Sequence, residues 1–312
     1  MGTKTVLGTI SRRFAGGVDN PESLDTLTAD LEFWIRRGTR MGARVLTFTE
    51  VCPQLNGDLY AQIEPHDGGS LLRVIDLAKR YEVDLVWPRF EHGPDGLRNA
   101  SIYVDRHGEV LGRYYKMFPT LGEMEKGIIP GDGPVCIETE YGRVGFAICF
   151  DLNFIELRDG YRALRPDVVF FSSMYRGGIE LQAWAVDLGC YMVSSYGTEL
   201  GRIVDRGGRI LEMCHYEALV TAAVNLNSIA LHMDYNYGKM DAMLERYGTA
   251  LKFDYYTQEA RYVISSESIP IEEIVAEWEL LEIQEYFRRV RAQRSELLGP
   301  PAAEAMHANQ TL

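Results

Sequence analysis

The sequence is poor in the features that would assign it to several large protein classes. Its 312 residues include no apolar run approaching the ~18 residues of a membrane span. The opening stretch MGTKTVLGTISRRF lacks the basic-then-apolar layout of a secretory signal, so the expected location is the cytoplasm. Basic residues are scarce: 32 Lys and Arg stand against 45 Asp and Glu, a net charge of −13. Such a surface repels phosphate backbones and anionic lipid, and no basic cluster offsets it, so neither nucleic acid nor membrane is an expected partner. The 5 cysteines (Cys52, Cys136, Cys149, Cys190 and Cys214) are odd in number and form no CxxC pair. That spacing argues against a disulfide framework or a zinc site and leaves at least one thiol free. The 6 histidines show no pair at ligand spacing, so no metal is expected.

What remains is an ordinary globular composition, 46% hydrophobic and 25% charged. Residues 5–10 read as a buried strand. Asn20 and Pro21 then offer an N-cap and a first-turn proline for a helix carrying Leu24, Leu27, Leu31, Trp34 and Ile35 at helical spacing. The pattern breaks at Gly38 and Gly42 before a strand at 45–48. A second cycle places Leu71, Val74, Ile75 and Ala78 on one helical face, followed by an apolar run at 83–87 closed by Pro88. Short strand-like runs at 100–104, 110–115, 135–137 and 144–149, punctuated by glycines, predict hairpins. Helix and strand then alternate again through Leu157, Tyr161 and Leu164, the run 168–171, a helix near 183–188, and 191–195, with the last strand ending near Val224. This alternation predicts a layered α/β domain with helix-covered sheets. From about 232 the chain reads as a helical extension, with Tyr237, Met240, Leu244 and Tyr247 at helical spacing and one long helix from Pro270 to Leu297. The expected organisation is a single domain over 1–298 and a disordered tail over 299–312. Tyr235, Tyr237, Tyr247, Tyr255 and Tyr256 are expected to pack in a core or subunit interface, or to form a lid.

Three residues stand where α/β architectures place active sites, at the C-terminal ends of strands: Glu50 after VLTFT, Lys116 after VLGRYY, and Cys149 closing RVGFAI. Singly, each has an ordinary explanation: a buried core cysteine, a solvated strand-end lysine, a surface glutamate. Jointly they supply what thiol attack on a C–N bond needs. A carboxylate can take and return a proton, the sulfur can act as nucleophile, and a fixed cation can hold the developing oxyanion.

In this order, TFTEVCP, GRYYKMFPT and GRVGFAICFDLNFIELR resemble the three signature motifs of the nitrilase superfamily, the carbon-nitrogen hydrolases. Asn99-Ala100, the GDGP ending GIIPGDGP, and the strand and helix after Cys149 extend the resemblance over about residues 5–225. The resemblance implies a four-layer α-β-β-α sandwich, dimerisation through one helical layer, no cofactor, and a Glu50-Lys116-Cys149 triad. It further implies that Lys116 and the Phe150 N–H bind the oxyanion, and that a second glutamate follows the lysine. Counting forward from Lys116 gives Glu123, whereas counting back from Gly131 leaves Glu125 in competition; Glu123 is preferred. Cys149-Phe150-Asp151 resembles the amidase and carbamoylase branches rather than the Cys-Trp-Glu of nitrilases. A small linear amide or N-carbamoyl substrate is therefore expected. A nitrilase, an acyl-transferring relative and a non-catalytic binding protein remain as alternatives. Asn153, Ile155, Phe118 and Thr49 depart from the common pattern. Candidate lining residues are Phe150, Tyr60, Asn56, Met174, Tyr175 and Arg176, the last able to hold a substrate carboxylate.

Overall fold

Asn20 accepts the Ser23 N–H at 2.9 Å and so starts the first helix, with Pro21 at its first position. The computed structural model describes residues 4–256 and 259–298, so the expected disordered tail at 299–312 lies outside the described residues. The chain divides into two compact units, Met1–Asn227 and Ser228–Leu312.

In the first unit, β1 (Lys4–Ile10), α1 (Pro21–Arg40), β2 (Val45–Phe48), β3 (Glu64–Pro65), α2 (Ser70–Tyr81), β4 (Asp84–Gly93), β5 (Gly96–Val104) and β6 (Val110–Tyr115) follow one another. Then come α3 (Leu121–Glu125), β7 (Cys136–Thr139), β8 (Gly142–Ile148), α4 (Ile155–Leu164), β9 (Val168–Ser173), α5 (Glu180–Leu188), β10 (Tyr191–Tyr196), β11 (Arg202–Val204), β12 (Ile210–Met213) and β13 (Leu219–Asn225). They form two mixed sheets, ordered β13-β1-β2-β4-β5-β6, with β3 also paired to β4, and β12-β11-β10-β9-β8-β7.

Side-chain alternation assigns the layers. In β2 and β4, Val45 and Val86 face the second sheet with Phe146, Phe170 and Val193, while Leu46, Leu85 and Trp87 face α1 and α2. Leu157, Tyr161, Leu181 and Trp184 of α4 and α5 cover the other side of the second sheet. This is the four-layer α-β-β-α arrangement expected from the motifs. Polar bonds also stitch the sheets together: Thr9 Oγ1 donates to the Ser194 carbonyl and Ser195 Oγ to the Ile10 carbonyl, both at 2.8 Å.

Two punctuation residues act differently from their sequence reading. Gly38 lies inside α1, where it lets Leu46 approach; a Cβ there would meet Leu46 Cδ1 at 2.9 Å. The break comes at Gly42, at φ +90. Pro88 lies within β4 rather than closing it, in the gap between the residues that pair with β2 (84–86) and those that pair with β3 (91–92). A residue lacking an N–H is tolerated where a ladder is incomplete.

The second unit contains the expected helices, α6 (Met240–Tyr247), α7 (Ile271–Glu277) and α8 (Ile283–Leu298). It also contains an antiparallel sheet that helical spacing did not reveal, made of β14 (Ser228–His232), β15 (Leu251–Tyr256) and β16 (Arg261–Ser266) in the order β14-β16-β15. Strands therefore continue past Val224. The helix expected from Pro270 onward is two helices, parted where Asn236 accepts the Leu281 N–H and donates to the Leu281 carbonyl, each at 2.8 Å. Of the aromatic stretch, Tyr256 is buried and Tyr255 stands against Tyr262, whereas Tyr235 and Tyr237 are exposed. No described helix is long and apolar enough to cross a membrane.

Candidate active site

Glu50, Lys116 and Cys149 each follow the last residue of a strand (β2, β6 and β8) or lie just beyond it, and Met174 follows β9. The facing of the two sheets brings these ends together. Lys116 Nζ donates to Glu50 Oε1 at 2.9 Å and to Glu123 Oε2 at 2.8 Å. The Met174 N–H donates to Glu50 Oε2 at 3.0 Å. Glu50, Lys116 and Glu123 are all buried.

Glu123 is fixed by a capping box at the start of α3: its N–H donates to Thr120 Oγ1 at 3.2 Å and its Oε2 accepts the Thr120 N–H at 2.7 Å. Glu125 is exposed on the same short helix. The T-x-x-E spacing was a readable signal that separates the two glutamates. Asn99 on β5, quoted above only within the family resemblance, occupies the middle of the cluster. Its Nδ2 donates to Glu50 Oε1 at 2.9 Å and to Glu123 Oε1 at 2.8 Å, so one amide and one ammonium each bridge both carboxylates.

Cys149 adopts a left-handed backbone, φ 48, where β8 gives way to a 3-10 turn. Val51, next to Glu50, is likewise left-handed at φ 46. Such conformations cost on the order of 1–3 kcal/mol outside glycine and persist where surrounding structure holds them. Asp151 is one such support. It accepts hydrogen bonds from the Tyr114 hydroxyl (2.7 Å), the Ile148 N–H (2.9 Å) and the Phe118 N–H (2.8 Å).

The electrostatics follow from burial and from two carboxylates sharing one cation. Burial and then the Glu50 charge push the Cys149 thiol up to about 12, against the opposing pull of Lys116 and the Met174 N–H. The resting sulfur is therefore a thiol. Burial opposes charge on Lys116, but Glu50 and Glu123 outweigh it and hold the ammonium well above the ordinary lysine range. Burial likewise acts to raise Glu123, and Lys116 overcomes it, so this carboxyl lies below its usual range. The arrangement thus offers a permanent cation, buried carboxylates and a protonated thiol. Among the described residues no group of three or more His, Cys, Asp or Glu could hold a metal ion.

The lining candidates divide. Tyr175 donates its N–H to Ser173 Oγ, and its hydroxyl is pushed up to about 12 by burial and the neighbouring Cys149. Tyr60 stacks on Phe90 at 5.4 Å, its hydroxyl raised by burial and by Glu123. Phe150 is partly exposed and packs edge-on against Phe154. Arg176 is exposed. Asn56 instead pins a loop, donating to the carbonyls of Phe14 and, at 2.7 Å, Gly16.

The sequence pattern of the carbon-nitrogen hydrolases matches residues 22–232. The chain belongs to the carbon-nitrogen hydrolase family. This carbon-nitrogen hydrolase is 26% identical over 161 residues to an N-carbamoylputrescine amidase of Solanum lycopersicum, a match covering 48% of this chain and 54% of that protein. It is 25% identical over 237 residues to the deaminated glutathione amidase of Homo sapiens, covering 62% and 70%. The first match thus spans about half of that relative's length. Among solved structures, Saccharomyces cerevisiae Nit3, a member of branch 10 of the nitrilase superfamily, superposes with a TM-score of 0.61 at 17% identity, covering 71% of this chain and 90% of that one. An amidase from Nesterenkonia sp. gives 0.60 at 20% identity, covering 78% and 98%. The fold is therefore that of the nitrilase superfamily.

Proposed function

We propose that this chain hydrolyses a small linear amide or N-carbamoyl compound through a thioester on Cys149, releasing ammonia. The observation that carries this reading is the Glu50 carboxylate held between Lys116 Nζ (2.9 Å) and the Met174 N–H (3.0 Å), with its charge acting directly on the Cys149 thiol. A thiol pushed up to about 12 attacks only if its proton is removed as the new bond forms. In this scheme Glu50 takes that proton while sulfur bonds to the amide carbon. The oxyanion is met by Lys116 and the Phe150 N–H. Glu50 then returns the proton to the leaving nitrogen, the C–N bond breaks, and ammonia departs. Water attacks the thioester, giving its proton to Glu50, and the proton passes to sulfur as the acid leaves. Glu123 and Asn99 hold Lys116 and Glu50 in register, acting as positioning residues.

The amide preference draws on Cys149-Phe150-Asp151 and on the names of the curated relatives, both amidases. Phe150, Tyr60, Met174, Tyr175 and Arg176 are proposed to line the pocket. The test is ammonia release from a panel of linear amides, N-carbamoyl amino acids, ureas and nitriles, using wild type and Cys149→Ala. Amide or carbamoyl turnover that vanishes in the variant is expected. Turnover of nitriles alone would replace amide with nitrile hydrolysis.

A further inference from the structure

Arg176 and Arg202 are two cations beside the candidate site that have no acid partner among the described residues. Arg176 follows Met174 by two residues, so its Cα lies within about 7 Å of the Met174 Cα, and the Met174 N–H is a donor to Glu50. Arg202, at the start of β11, reaches into the same loop: its Nη1 donates to the Gly178 carbonyl at 3.3 Å, two residues beyond Arg176. Arg202 is partly buried, and its Nε is enclosed without a hydrogen-bond partner.

The buried and half-buried arginines Arg89, Arg113 and Arg162 of this unit sit against carboxylates, the first two on Glu91 and the third on Asp187. Among the described residues no carboxylate lies within ion-pair distance of Arg176 or Arg202. Burial and the neighbouring Arg176 charge press the Arg202 guanidinium down from its usual range. Two like charges, one partly withdrawn from water, gain most from an anion that both can reach.

We infer that Arg176 and Arg202 together bind a carboxylate on the substrate, so that the preferred amide carries an acid group at the end opposite its scissile C–N bond. This rests on the amide-hydrolase reading above. The planar guanidinium fork suits a carboxylate, and a short aliphatic tail carries that group from the carbonyl at Cys149 toward the Met174–Gly178 loop. The opposite preference, for a cationic tail, would place like charge against both arginines.

Three near-isosteric probes test the inference: succinamate, butyramide and β-alaninamide, which end in an anion, a methyl group and a cation. With wild type, kcat/KM for succinamate should exceed that for butyramide about tenfold or more, and β-alaninamide should be the poorest. In Arg176→Gln and in Arg202→Gln the succinamate-to-butyramide ratio should fall by about fivefold or more, chiefly through KM, and Arg176→Lys should retain part of it. Thermal melts establish that each variant is folded; if Arg202→Gln does not fold, Arg202→Lys takes its place. Cys149-dependent turnover of butyramide or β-alaninamide at or above that of succinamate overturns the inference and leaves amide hydrolysis standing. So does a ratio unchanged in the variants at both positions. No Cys149-dependent ammonia from the three probes or from the wider amide and carbamoyl panel overturns both.

Discussion

The Asp151 carboxylate joins the turn that carries Cys149 to the loop that carries Lys116, because its Oδ1 accepts the Phe118 N–H at 2.8 Å while its Oδ2 accepts the Ile148 N–H at 2.9 Å. The Tyr114 hydroxyl completes the clamp and in turn accepts the Met117 N–H at 3.1 Å. Cys149 and Lys116, the proposed nucleophile and cation, are thus tied to each other by a residue proposed for no chemical step.

Tyr114→Phe removes one donor to Asp151 and the acceptor for Met117. It should destabilise the fold by about 1–3 kcal/mol in urea unfolding and lower kcat more than it raises KM. Reduced stability with kcat unchanged would confine the clamp to a structural role.

Glu50→Gln should make the Cys149 thiol more acidic and yet slow turnover. With the Glu50 charge gone, the Cys149 thiol should titrate below about 12, seen as thiolate absorbance in the ultraviolet relative to a Glu50→Gln, Cys149→Ser control. Turnover should nevertheless fall by about 10²–10⁴, because the base is lost. A more acidic thiol with undiminished turnover would remove Glu50 from the proposed proton transfers.

Asn99→Ala takes away the amide shared by the two glutamates. Glu123 is held low partly by that hydrogen bond, so its loss should raise the Glu123 pKa. The acid limb of the kcat/KM profile should then shift to higher pH, where the wild type is still fully active. A change in overall rate without movement of the limb would contradict this electrostatic account.

Asp84 offers a stability test remote from the proposed chemistry. Buried at the start of β4, it accepts from the Tyr103 hydroxyl at 2.6 Å, yet burial pushes it up to about 6 from 3.8. Between those values the folded state binds more protons than the unfolded state, so the Asp84 contribution to stability is lost as pH rises through that window. Relative to wild type, Asp84→Asn should therefore gain up to about 3 kcal/mol from pH 4 to pH 7. Parallel stability curves for the two proteins over that range would contradict the assignment.

Much of this was readable in the sequence, for physical reasons that also mark where reading failed. Glu50, Lys116 and Cys149 stand out because each interrupts or closes an apolar strand, and apolar runs alternating with helical spacing identify the layered α/β character of the first unit. Gly38 was misread because a glycine inside a helix and one ending a helix look alike until the Leu46 side chain is in place. The sheet of the second unit was hidden because strands such as Leu251–Tyr256 carry polar and aromatic residues on a small sheet rather than a continuous apolar run. The placement of Asn99 and Arg202 was out of reach for another reason: their contacts are with neighbours far along the chain, Glu50 for the first and the Arg176–Gly178 loop for the second.

The convergence of strand ends also has a kinetic consequence. Glu50, Asn99, Lys116, Cys149 and Met174 are supplied by five strands of two different sheets, and several of their mutual contacts span tens of residues of chain. Helices and hairpins can form from local contacts well before such loops close. During refolding, helical signal should return first, and the capacity for turnover should come back only with the slowest phase, when the two sheets dock.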